Sequence, residues 1–233
     1  MNIVIYIYPG MTMLDAIGPY EVLRNIPKAD IKFVAKRKEE IPADSQFIHL
    51  QAKYEIADID SADVLLLPGS TIAFIKQARD KQVLDWIKKI HPTTQKTVSV
   101  CTGSIILAAA GLLEGKKATS HWKPIQLLSA YGAIPVAERF VEAGKIITAA
   151  GVSAGIDMAL HLVRELRDEA SARAAQLAIE YDPHPPFDSG NAQTADPAII
   201  KLAEKQMEAD AKKDLSWLEM VQYARALMKL KKI

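Results

Sequence analysis

The chain is predicted to adopt an α/β fold built on a mostly parallel sheet with helices on both faces, and three observations predict it. Short apolar runs at Ile3–Tyr8, Asp63–Leu67 and Lys96–Val100 suit strands buried on both sides. Segments with apolar residues at helical spacing separate such runs. Two of the runs end in a proline-glycine turn, Pro9-Gly10 and Pro68-Gly69, and the third ends in the small residues Thr102-Gly103-Ser104. Strand, helix and strand in repeated order imply parallel pairing, and functional groups on such a sheet collect at the carboxyl ends of the strands.

Taken in order, Ile3–Tyr8 is a strand and Met13–Ile26 a helix. Ile31–Ala35 is a second strand, residues 36–46 are a charged loop, and Ile48–Ile56 alternates as a half-exposed strand or hairpin arm. After Asp63–Leu67 comes a helix marked by Leu84, Trp86, Ile87 and Ile90, then the Lys96–Val100 strand and the helix-prone run Ile105–Ala110. Arg139–Glu142 and Lys145–Thr148 form a hairpin around Ala143-Gly144, and Ser153–Arg167 and Asp168–Ile179 are helices. Tyr181–Gly190 is proline-rich and is excluded from regular helix or central strand. Residues 197–230 return to helical spacing, with Leu202, Met207, Leu215, Trp217, Leu218, Val221, Leu227 and Met228 as apolar positions. These boundaries predict a domain over 1–195 with a helical extension over 196–233.

With 49% hydrophobic and 24% charged residues, the 233-residue chain has material for a substantial core. A formal net charge of +1 gives no bulk attraction to nucleic acid or to an acidic membrane. The apolar opening is too short, and too poor in basic residues, for a secretory signal, so it reads as a buried strand of a cytoplasmic protein. His49, His91, His161 and His184 lack paired metal-ligand spacing, and no glycine-rich phosphate loop follows a strand. Neither a metal nor a nucleotide cofactor is expected.

Cys101 is the single cysteine, which excludes an internal disulfide and a cysteine-rich zinc site. It stands where a strand turns into a helix among small residues, the arrangement of a nucleophile elbow. The helix start at Thr102 is expected to favour the thiolate. Asp15 follows the first strand, with Thr12 three residues earlier as a cap; a parallel sheet would bring its carboxyl beside Cys101 for proton exchange, and burial and the thiolate charge would raise its pKa. Pro68-Gly69-Ser70-Thr71 closes another strand. It reads either as a plain turn or as a nest in which the N–H groups of Gly69 and Ser70, with that of Thr102, face a developing negative charge. His121 follows the short segment Lys117–Ser120 and is either a packed histidine or a base for the sulfur.

Ser99-Val-Cys-Thr-Gly103, Ala109-Ala-Gly-Leu-Leu113, Ala118-Thr-Ser-His-Trp122 and Gly151-Val-Ser-Ala-Gly-Ile-Asp157 together resemble the ThiJ/PfpI superfamily. Within it, Leu14-Asp-Ala-Ile-Gly-Pro19 and the stretch from Gln176 to Phe187 are similar to isonitrile hydratases. The resemblance implies a flavodoxin-like sandwich, a homodimer, and a small-molecule substrate. It implies Cys101 as the nucleophile that attacks the terminal carbon of an isocyanide to give a thioimidate, Asp15 as acid and base, and Thr102 as the residue that fixes the carboxylate and lends an N–H. Relatives carry two glycines where this chain has Gly69-Ser70, so either the backbone there avoids positive φ or the serine is strained. Glyoxalase or deglycase relatives place a glutamate near the cysteine; Glu21 is the substitute here, further along the helix. The alternatives are a glyoxalase-like or other cysteine hydrolase with His121 as base, a ligand-sensing module, and a redox sensor.

Overall fold

The computed structural model describes residues 1–214. In chain order the first unit contains β1 (Asn2–Tyr6), α1 (Met13–Leu23), β2 (Asp30–Ala35), β3 (Glu40–Pro42), β4 (His49–Gln51), β5 (Tyr54–Glu55), β6 (Val64–Leu67), α2 (Phe74–Gln77), α3 (Lys81–Ile90), β7 (Lys96–Val100) and α4 (Gly103–Ala109). It continues with β8 (Lys117–Ala118), a 3₁₀ stretch Ile125–Tyr131, β9 (Ile134–Pro135), β10 (Phe140–Ala143), β11 (Ile146–Ala149), α5 (Ala154–Leu166) and α6 (Glu169–Ala178). This unit spans Met1–Ile179, and a second begins at Glu180. In the second unit Tyr181–Gly190 has neither helix nor strand, and α7 runs over Pro197–Asp214. The expected apolar positions Leu215, Trp217, Leu218, Val221, Leu227 and Met228 lie outside the described residues.

A seven-stranded sheet in the order β10-β11-β7-β6-β1-β2-β5 organises the first unit. Every pairing within it is parallel except β10 with β11. The central strands are buried on both faces. Ile3, Val4, Ile5, Leu65, Leu66 and Leu67 have no solvent exposure, and each such side chain contributes about 1.5–3 kcal/mol of burial. Helices cover the sheet through apolar stripes: in α3, Val83, Trp86, Ile87 and Ile90 are buried, and the Asp80 carboxylate caps its start by accepting from the N–H groups of Gln82 and Val83.

The chain leaves β1 toward β2 on one side of the sheet and later returns to β6 and β7 on the other, so the strand order reverses between β1 and β6. Loops from neighbouring strand ends diverge at such a reversal and leave a crevice. Asp15, Gly69 and Cys101 follow β1, β6 and β7 respectively.

One local expectation is corrected and a second is refined. Residues 36–46, read as a loop, contain β3, which pairs with β4 as an antiparallel hairpin outside the main sheet. The Ile48–Ile56 segment accordingly splits, with β4 joining that hairpin and β5 pairing in parallel with β2. At three and two residues, these elements are too short for alternation to register.

Candidate active site

Cys101 sits at φ +58°, in the left-handed region that non-glycine residues rarely occupy. Holding it there costs about 1–3 kcal/mol, and several contacts offset that cost. Its N–H donates to the carbonyls of Ala149 (3.1 Å) and Ala150 (2.8 Å), and its carbonyl accepts from the hydroxyls of Ser104 and Ser120, each at 3.1 Å. The following turn packs closely on β6, since a Cβ at Gly103 would lie 2.1 Å from the Leu67 carbonyl oxygen. Glycine is required at that position.

Asp15, in the first turn of α1, is completely buried. Oδ2 accepts the Gly69 N–H at 2.9 Å, whereas Oδ1 is shut off from water without a partner of hydrogen-bond geometry. Burial lifts this carboxyl from its ordinary 3.8 to about 7; the Gly69 N–H and the Cys101 thiol pull the other way, and the charge of Asp44 adds to the rise.

Cys101 is buried, with 4% of the residue exposed. Burial, and then the charge of the neighbouring Asp15, push it well above its usual range, while the backbone N–H groups of Thr102 and Val152 oppose that rise. This corrects the expected helix-stabilised thiolate: desolvation and a like charge outweigh two N–H donors and a helix of only seven residues. The resting sulfur is a thiol beside a carboxyl group that titrates near neutrality.

Thr102, expected to fix the Asp15 carboxylate, instead bonds Ser70 through its hydroxyl and braces the turn that supports this pair. Its hydroxyl donates to the Ser70 carbonyl and accepts the Ser70 N–H, both at 2.8 Å. The N–H groups of Gly69 and Ser70 are therefore committed to Asp15 and Thr102, and the oxyanion nest drawn from them is corrected to a clamp on those two side chains. Ser70 lies outside the positive-φ region, which resolves its departure from a second glycine without strain. A Cβ at Gly69, in contrast, would stand 2.4 Å from the Thr102 nitrogen and 2.9 Å from the Cys101 Cβ. Ser70 Oγ accepts the Phe74 N–H at 2.7 Å and bonds the buried Tyr8 side chain, whose hydroxyl also donates to the Pro68 carbonyl at 3.1 Å.

The remaining expected residues make other contacts. His121 packs on the backbone at Gly151, Nδ1 accepts the Lys123 N–H at 3.4 Å, and burial with the Lys123 charge lowers its pKa to about 4. The groups acting on the sulfur are Asp15 and the N–H groups of Thr102 and Val152. Glu21 forms an ion pair with Arg24 at 3.0 Å on the exposed side of α1. Thr12 occupies the N-cap of α1, but its hydroxyl makes no cap bond and donates instead to Asp44 Oδ2 at 2.7 Å. Val152 and Asp44 were not singled out by the sequence. Val152 acts through its backbone, which side-chain spacing cannot reveal, and Asp44 lies in the segment read as a loop.

Comparison with known proteins gives the family. The model of the DJ-1/PfpI family matches residues 1–165. The chain is 40% identical to the isonitrile hydratase of Pseudomonas putida over 201 residues, covering 86% of this chain and 87% of that protein. A crystal structure of a ThiJ/PfpI family protein from Pseudomonas syringae, 38% identical, superposes with a TM-score of 0.83 over 92% of this chain and 90% of that one. Schizosaccharomyces pombe DJ-1, at 16% identity, shares the fold with a TM-score of 0.68 over 78% of this chain and all of that one. The chain belongs to the DJ-1/PfpI family.

Proposed function

We propose that the protein is an isonitrile hydratase that uses Cys101 as nucleophile and Asp15 as acid and base to convert an isocyanide into an N-substituted formamide. The observation that carries the reading is the buried Asp15 carboxyl set against the only thiol, at the bend between β7 and α4. The similarity to the Pseudomonas putida enzyme over most of both chains supports the same choice of reaction.

A carboxyl group titrating near 7 serves as base in one half of a cycle and acid in the other with little change in driving force. As carboxylate, Asp15 takes the thiol proton while the sulfur lone pair bonds to the terminal carbon of the isocyanide. The protonated carboxyl returns that proton to the same carbon, leaving a neutral thioimidate, R–N=CH–S. Asp15, again a carboxylate, then takes a proton from water as the water oxygen adds to the thioimidate carbon. Asp15 passes that proton to nitrogen, and as the C–S bond breaks the hydroxyl proton of the intermediate moves through Asp15 to the departing sulfur, leaving R–NH–CHO and the thiol. Isocyanide and one water are consumed, nothing is oxidised or reduced, and no cofactor is called upon.

Access favours this substrate class. Cys101 is a buried residue, and an enclosed thiol is reached more readily by the slender terminus of an isocyanide than by a branched carbonyl. Thr102 and Gly69 hold the carboxyl and the elbow in register, and the N–H groups of Thr102 and Val152 stabilise the sulfur as it gains charge. On family resemblance the protein is also proposed to act as a homodimer, which light scattering of the full chain tests. Incubating the full chain with aliphatic isocyanides and, separately, with methylglyoxal should yield the formamide and leave methylglyoxal unchanged. Turnover of methylglyoxal alone would overturn the reading in favour of a glyoxalase-like hydrolase.

A further inference from the structure

The turn of the β3–β4 hairpin reaches into the support of Asp15 through a closed set of hydrogen bonds. Asp44 Oδ2 accepts the Thr12 hydroxyl at 2.7 Å, and the Asp44 N–H donates to the Met11 carbonyl at 2.9 Å beside the parallel bridge between Met11 and Ala43. Thr12 in turn donates its N–H to the Gly69 carbonyl at 3.0 Å and accepts the Asp15 N–H at 3.1 Å, while the Gly69 N–H returns to Asp15 Oδ2. Asp44, Thr12, Gly69 and Asp15 thus link three segments that are far apart in sequence, and Asp44 is the outermost member, half-buried on the hairpin.

We propose that Asp44 is a positioning residue for Asp15: through Thr12 it fixes the start of α1 and the turn whose Gly69 N–H holds the Asp15 carboxyl, and its negative charge favours the proton on Asp15. The inference deepens the reading given above for that pair. Asp44 forms no contact with the reacting atoms; its effect passes through Thr12 and through space. The titratable groups that act with Asp15 are Cys101 from the elbow, Tyr8 after β1 and Asp44 from the hairpin, and the charge of Asp44 works in the direction of retaining the proton.

The test reads the sulfur directly, so it does not depend on the natural substrate. Because Cys101 is the sole thiol, the rate of its alkylation by iodoacetamide in the full chain can be followed from pH 5 to pH 10. Asp44→Asn preserves an acceptor for the Thr12 hydroxyl but deletes the charge, and removing a neighbouring negative charge lowers the pKa of an acid. The low-pH limb of its alkylation profile, which follows the first ionisation of the Asp15–Cys101 pair, should move to lower pH by several tenths of a unit. Thr12→Val, which releases the Asp44 carboxylate from its tether, should move it in the same direction, whereas Asp44→Glu and Thr12→Ser should stay on the native curve. A purely structural role would leave the Asp44→Asn profile in place. If either Asp44→Asn or Thr12→Val follows the native profile, the inference fails. If instead both shift while isocyanides are not turned over, the inference stands and the hydratase reading falls.

Discussion

Replacing Asp15 with asparagine separates what this side chain does for the chemistry from what it costs the fold. Asparagine has nearly the same shape and retains an oxygen to accept the Gly69 N–H, now bonded at 2.9 Å, but it cannot ionise. In the native protein the folded-state pKa is raised from 3.8 to about 7, so the folded state binds the proton more tightly than the unfolded chain does. The stability linked to that proton is complete below pH 4 and is lost as the pH rises through 7. A rise of that size corresponds to about 4 kcal/mol once Asp15 is fully ionised, and full burial removes any discount for solvent screening.

Urea unfolding of both proteins at intervals from pH 4 to pH 8.5, followed by tryptophan fluorescence, measures this term. The stability of Asp15→Asn minus that of the native chain should climb by up to about 4 kcal/mol between pH 4 and pH 7 and then level off. Taking the difference matters because His121, whose folded pKa is depressed from 6.5 to about 4, acts in the opposite sense: its contribution is lost as pH falls from 6.5 toward 4. That term is common to both proteins and cancels. In parallel the variant should lose turnover by about 10²–10⁴-fold, the usual contribution of a positioned acid–base group. A stability difference that stays constant across the pH range would refute the view that Asp15 is a desolvated carboxyl near neutrality, whatever happens to the activity.

Cys101→Ser should abolish turnover while circular dichroism remains native, because a hydroxyl is a far weaker nucleophile at neutral pH. His121→Ala should keep turnover within about fivefold of native, since burial holds the ring's pKa at about 4 and makes it a poor base for the thiol proton; loss on the scale of Asp15→Asn in steady-state assays would reverse the assignment. Gly69→Ala drives a methyl group to 2.4 Å from the Thr102 nitrogen. It should cost about 1–3 kcal/mol in urea unfolding and displace both Thr102 and Asp15, so that kcat falls with stability.

The parts legible in the sequence were those with long or repeated signals. Buried central strands announce themselves as apolar runs, and three of them point to a parallel sheet whose strand ends carry Asp15, Gly69 and Cys101. The β3–β4 hairpin left no comparable signal, because three-residue strands with a proline and charged neighbours resemble a loop. The direction in which backbone N–H groups point was equally hidden. Residue types at Gly69 and Ser70 suited an anion nest, and only the geometry shows those donors turned toward Asp15 and Thr102. The state of the sulfur escaped for a related reason. A cysteine before a helix suggests a stabilised anion, but the balance depends on burial and on the carboxyl across the strand reversal, which local sequence does not contain.

That balance bears on what the pair is suited to do. A sulfur already ionised at rest attacks readily but brings no proton with it, whereas the thiol beside Asp15 carries the proton that an isocyanide carbon must also receive. Addition across a carbon with a lone pair needs both a nucleophile and a proton at the same atom, and one carboxyl group titrating near 7 can pass that proton from sulfur to carbon without drawing on solvent. The burial that makes the thiolate costly at rest also keeps the proton local during the transfer. The cost is recovered when charge leaves the sulfur in the bond to carbon, so the same desolvation that raises both pKa values favours the neutral thioimidate over the separated thiolate.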